Sequence, residues 1–77
     1  AGVPLAGKRV LLLGAGGASR GVIAPVLAAK PASLFIANRS AEKAVALAAE
    51  FSGLAPVQGG SFAETAAKSF DVVINAT

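Results

Sequence analysis

The sequence predicts an α/β chain: four parallel strands in the order 3-2-1-4, the first half of a doubly wound sheet, with helical crossovers. Three observations predict it. Short continuous apolar runs such as Val10-Leu11-Leu12-Leu13 and Val72-Val73-Ile74 read as strands buried on both faces, as in a parallel sheet. Between such runs, apolar residues recur at the 3, 4 spacing of a helix. The connections are short, and right-handed crossovers then arrange an element order β-α-β-α-β-α-β into that sheet.

The first strand covers residues 8–13 and ends at a glycine cluster. Val22, Ile23, Val26 and Leu27 follow at helical spacing, and Lys30-Pro31 stops that helix. Pro25 lies inside it and removes a backbone donor, so a bend is expected there, with Gly21 four residues earlier relieving the clash. Ser33 to Ala37 forms the second strand around Leu34, Phe35 and Ile36. Ser40 then caps a helix whose buried stripe is Ala44, Leu47, Ala48 and Phe51, with Gly53 as its stop. Ala55 to Gln58 is a weak third strand. Ser61 and Glu64 have the spacing of a capping box and open a short helix that runs to about Lys68. Asp71 to Ala76 is the fourth strand, read as buried on both faces. No fifth strand covers its far edge, so self-association through that edge is expected.

Composition narrows the function. The 77 residues allow one small domain, and 55% hydrophobic against 14% charged residues exclude intrinsic disorder. The absence of Cys and His removes disulfides, thiolate metal sites, a His base and a Cys nucleophile, and argues against any metal site. No apolar run approaches the roughly 18 residues of a membrane span. The chain does not open like a secretory signal, so a cytoplasmic protein is expected. With no initiator Met and so few residues, the chain reads as an excised piece of a longer protein. The net charge of +3 is uneven: residues 1–43 carry +5 and residues 44–77 carry −2. The cations form no stripe and no aromatic residues alternate with them, so nucleic acid ranks last as a ligand. A small phosphate-bearing ligand on the first half fits better.

Three segments carry that chemistry. Gly14-Ala15-Gly16-Gly17-Ala18-Ser19-Arg20-Gly21 joins the first strand to the first helix. Gly14 suits the tight turn of a dinucleotide site, and Gly16 the close approach of a pyrophosphate to backbone at a helix N-terminus. Ser19 stands where G-x-G-x-x-G would have its third glycine, so the strict fingerprint is not met; a small residue there still permits close packing. The alternative is a plain glycine-rich turn. Asn38-Arg39-Ser40, with Lys43 in the next helical turn, ends the second strand. An acid there would accept hydrogen bonds from a ribose 2′-hydroxyl; a guanidinium, an ammonium and a hydroxyl suit a 2′-phosphate instead. The predicted ligand is NADP rather than NAD. Asn75-Ala76-Thr77 ends the fourth strand, next to the topological switch point, where small polar groups would line the nicotinamide side.

Together, residues 14–21, 38–43 and 75–77 resemble the NADP-binding, Rossmann-like domain of shikimate dehydrogenases. That family shows Asn-Arg-Thr and, three residues on, Arg or Lys; here Ser40 keeps the hydroxyl and Lys43 the charge. The resemblance implies reduction of 3-dehydroshikimate to shikimate with NADPH, on the route to aromatic amino acids. It makes Gly14, Ala15, Gly16, Gly17 and Ala18 the diphosphate loop, and Asn38, Arg39, Ser40 and Lys43 the 2′-phosphate clamp. It places the catalytic Lys and Asp in a separate substrate domain, so Lys8, Lys68 and Asp71 receive no catalytic role and the 77 residues alone are expected to be inactive. A related quinate/shikimate dehydrogenase and a non-catalytic nucleotide-binding module are the alternatives.

Overall fold

Four parallel strands build the sheet, with β1 (Arg9–Leu13) at its centre between β2 (Ser33–Asn38) and β4 (Val72–Asn75). β3 (Val57–Ser61) flanks β2, which gives the order β3-β2-β1-β4 expected from the sequence. The computed structural model of the chain describes residues 5–14, 16–51, 53 and 56–76. Ala15 and Thr77 of the predicted site, and Ala55 of the predicted third strand, lie outside the described residues.

Helix α1 (Gly17–Ala28) connects β1 to β2 and runs through Pro25; α2 (Ala41–Phe51) connects β2 to β3. Because strand side chains alternate between faces, Val10 and Leu12 of β1 and Leu34 and Ile36 of β2 point to the same side. There they pack against Ile23 and Val26 of α1 and Ala44, Leu47 and Ala48 of α2. Each large side chain removed from water in this layer contributes about 1.5–3 kcal/mol. The opposite face holds a smaller cluster, Leu11, Phe35 and Ala37, backed by Leu13 and Phe70.

The helix boundaries follow the expected signals with small shifts. α1 ends at Ala28, before Lys30-Pro31, and Lys30 takes a left-handed φ of 57° where the chain turns back. The Gly7 N–H donates to the Lys30 carbonyl at 3.1 Å and ties that turn to the start of β1. α2 begins after Ser40, whose carbonyl accepts the Ala44 N–H at 3.3 Å, and it ends at Phe51, two residues before Gly53.

Three expectations need correction. The third strand covers Val57–Ser61 rather than 55–58: Gly59 and Gly60, poor strand formers in isolation, are accommodated because β3 lies hard against neighbours on both sides. A Cβ on Gly59 would overlap the Ala44 carbonyl of α2. The last helical segment, Phe62–Ala67, is a 3₁₀ helix, tighter and shorter than expected, although Glu64 Oε2 accepts the Ser61 N–H at 3.1 Å as a capping box requires. Finally, β4 is not buried on both faces. Val72 and Ile74 lean on the main core while Val73 remains 57% exposed on the other face, where the small cluster around Phe35 does not reach it. Continuous apolarity there signals a face available for covering, not one already covered.

Candidate functional site

The three predicted segments converge at the carboxyl end of the sheet. Register places Leu13 beside Ala37 on one side and beside Asn75 on the other. The Gly14 N–H then donates to the Ala37 carbonyl at 2.7 Å, and the Ala76 N–H to the Leu13 carbonyl at 3.0 Å. The glycine turn is thus wedged between the residues that lead into Asn38-Arg39-Ser40 and those that end β4.

Gly14 has φ +107°, a conformation that side-chain-bearing residues rarely adopt. A Cβ there would stand 3.1 Å from Ser19 Oγ and 3.3 Å from the carbonyl carbon and oxygen of Ala76. The turn must be glycine for both conformation and space. Gly16 is the N-cap of α1, with extended φ −88° and ψ −163°, and it has no side chain to satisfy the first helical N–H groups. Its carbonyl accepts the Arg20 N–H at 3.1 Å, which starts the helix. A Cβ at Gly16 or Gly17 would meet nothing within 4 Å, and the first turn of α1 carries no acid. Gly17 and Ala18 are the first two helical residues. The result is a positive helix end with unsatisfied donors below open space, which suits an anion. Under it lies Ser19, fully buried, whose Oγ has no hydrogen-bond partner.

At the end of β2, one N–H of the Asn38 amide donates to the Ser40 carbonyl at 3.2 Å, which leaves the second amide N–H uncommitted in that bond. Arg39 and Lys43 are exposed and have no side-chain partner among the described residues. The other arginines differ. Arg20 forms a two-pronged pair with Glu50, 2.8 Å on each prong, linking α1 to α2; hydrogen bonding to Arg20 holds the Glu50 carboxyl below the usual carboxylate range. Arg9 pairs with Asp71 at 3.3 Å, and its side-chain and backbone donors hold that carboxyl down in the same way. Asp71 precedes β4 and so lies at the amino end of the sheet, away from the glycine turn, while Lys68 Nζ sits 5.1 Å above the Phe35 ring.

Two grooves of about 750 and 500 Å³ flank β3, and no residue of the glycine turn or the Arg39 segment lines them. The larger is mostly apolar and lined by Glu64; the smaller is lined by Arg9 and Lys68, the first already paired with Asp71 and the second lying over Phe35. Sequence reasoning took Ser19 only as a small residue; its buried hydroxyl was missed, and the sole signal was Ser where glycine suffices.

Comparison with known proteins identifies the family and supports the fold. The family described as Shikimate / quinate 5-dehydrogenase matches residues 2–77. The chain is 78% identical over 76 residues to "Shikimate dehydrogenase (NADP(+))" of Dechloromonas aromatica (strain RCB), covering 99% of this chain and 28% of that protein. It is 61% identical over 77 residues to the protein of the same name from Aromatoleum aromaticum (strain DSM 19018 / LMG 30748 / EbN1), again covering 28% of it. The chain therefore spans little more than a quarter of these curated relatives. Among solved structures, an Ael1 enzyme from Pseudomonas putida superposes with a TM-score of 0.82 at 47% identity, covering 96% of this chain and 27% of that one. A chorismate mutase/shikimate 5-dehydrogenase fusion protein from Clostridium acetobutylicum gives 0.74 at 28% identity, covering 97% and 26%. On the match over residues 2–77 and these identities, the chain belongs to the shikimate / quinate 5-dehydrogenase family.

Proposed function

We propose that these 77 residues are the NADP-binding part of a dehydrogenase that reduces 3-dehydroshikimate to shikimate, the substrate being held by a domain outside them. The observation that carries the cofactor reading is the pair Arg39, just past β2, and Lys43, in the first turn of α2, both exposed and without a side-chain partner among the described residues, where an NAD site would hold an acid. The open space above Gly16 and Gly17 and the unpartnered Ser19 hydroxyl fit a diphosphate at the turn. In this reading Gly14, Ala15, Gly16, Gly17 and Ala18 hold the diphosphate. Asn38, Arg39, Ser40 and Lys43 hold the 2′-phosphate, and Asn75, Ala76 and Thr77 line the nicotinamide side.

Bound NADPH would supply the hydride. The accompanying proton needs an acid–base group, which in this reading the substrate-holding domain supplies; Asp71 is committed to Arg9 at the other end of the sheet. The chain's own part is binding and orientation. Names given to the relatives support this reading, since both curated relatives above are described as NADP(+) enzymes.

Calorimetric titration with NADP⁺ and NAD⁺ tests it. A charge-assisted hydrogen bond contributes about 1.5–3 kcal/mol, so Arg39→Ala should weaken NADP⁺ binding roughly tenfold to a hundredfold and leave NAD⁺ nearly unchanged. Equal losses for the two cofactors would remove the 2′-phosphate assignment.

A further inference from the structure

The buried hydroxyl of Ser19 makes no hydrogen bond within the fold among the described residues. Packing at this position is satisfied by glycine, the residue a dinucleotide turn ordinarily has there. A fully buried hydroxyl without a partner is a cost, and such groups call for an explanation. Its surroundings supply one. Ser19 Oγ and the Ala76 carbonyl oxygen crowd the same point, lying 3.1 and 3.3 Å from where a Gly14 Cβ would be. The Ala76 N–H bond to Leu13 ties this residue to the end of β1 beside the turn, and a carbonyl oxygen has two lone pairs to offer. The hydroxyl therefore stands between the glycine turn, the first turn of α1 and the end of β4.

We infer that Ser19 is a positioning residue: its hydroxyl, unpartnered in the free chain, donates to the Ala76 carbonyl once a dinucleotide's diphosphate occupies the space above Gly16 and Gly17. Occupancy of the diphosphate end is thereby tied to the position of the β4 end, where Asn75 and Ala76 lie. This rests on the cofactor reading proposed above. The coupling needs only that Ser19 Oγ and the Ala76 carbonyl, both beside Gly14, close to hydrogen-bond distance.

The test uses the 77-residue chain with Ser19→Ala and Ser19→Gly, thermal melting without ligand, calorimetry with NADP⁺, and the carbonyl ¹³C resonance of Ala76. Removing an unpartnered hydroxyl should leave the melting temperature of Ser19→Ala equal or raised. Its NADP⁺ affinity should fall about threefold to tenfold, the worth of one neutral hydrogen bond. Ser19→Gly should lose as much affinity, since it too lacks the hydroxyl, and the Ala76 carbonyl should shift on binding in wild type but not in the variants. A merely structural serine would lower stability and leave that shift intact. Wild-type binding with unchanged affinity in both variants, restored affinity in Ser19→Gly, or an Ala76 shift that survives the substitution would each overturn the inference. A wild-type chain that does not bind NADP⁺ would instead overturn the cofactor reading, and Ser19's role with it.

Discussion

Gly59→Ala adds one methyl where β3 passes beneath α2. The new Cβ would overlap the carbonyl carbon and oxygen of Ala44 and stand 2.7 Å from the backbone nitrogen of Val45. All three are backbone atoms of one helix, so no side chain can step aside and α2 must move as a body. Overpacking a core costs about 1–3 kcal/mol, and a rigid obstacle places this substitution at the upper end, about 3 kcal/mol. The whole domain, at 77 residues, has a stability of roughly 4–12 kcal/mol. With a shift of about 4–8 °C per kcal/mol for a domain of this size, the melting temperature should fall by roughly 12–24 °C. Gly60→Ala is the internal comparison. Its Cβ would strike the end of the flexible Glu64 side chain, with Phe35 Cζ at 3.0 Å, so the carboxylate swings away and chiefly its exposed bond to the Ser61 N–H is lost, about 0.5–1.5 kcal/mol. Circular dichroism melts and urea titrations of both variants give the order. A Gly59→Ala protein that melts within a few degrees of wild type, or a Gly60→Ala protein that is the less stable of the two, would refute the reasoning from backbone contact.

Three further outcomes are expected. Gly16→Val should fold normally, because its side chain enters open space from an extended backbone, yet lose NADP⁺ and NAD⁺ affinity together; normal binding by a folded variant would reduce residues 14–18 to a plain turn. Arg9 depresses the Asp71 carboxyl in the folded chain, so the pair's contribution is present above the unfolded carboxylate range and is lost as pH falls through the folded value. Asp71→Asn should therefore flatten the acid limb of a stability curve below about pH 4, and an unchanged limb would deny the pair that role. The exposed Val73 face of β4 should promote association that rises with concentration, and a monomer by light scattering at high concentration would argue against it.

Much of the fold was legible because it depends on local pattern. The apolar run at β1, the 3, 4 spacing in α2 and the short connections leave few arrangements other than 3-2-1-4. What was not legible depends on neighbours. Val72-Val73-Ile74 has the same composition as a strand buried on both faces, and only the layout of the opposite layer reveals that Val73 is uncovered. Gly59 and Gly60 look like breakers in one dimension, and in three they are what lets α2 and Glu64 approach β3. The third strand was placed too early for that reason.

The site divides along the same line. Residue type and spacing already point to the glycine turn and the Arg39 segment, and parallel register brings them together without further information. Net charge could not say which cations are available to a ligand. Arg9 is taken by Asp71 and Arg20 by Glu50, both across long stretches of sequence, while Lys68 lies over Phe35. Lys30 turns the chain at the foot of α1, one residue past its cap. Lys8 stands just before β1, at the amino end of the sheet, so at the carboxyl end Arg39 and Lys43 are left as the cations with no side-chain partner among the described residues. Pairing of Arg9 and Arg20 elsewhere is why neutralising Arg39 should be felt by a 2′-phosphate while neutralising Arg20 should be felt by the α1–α2 contact.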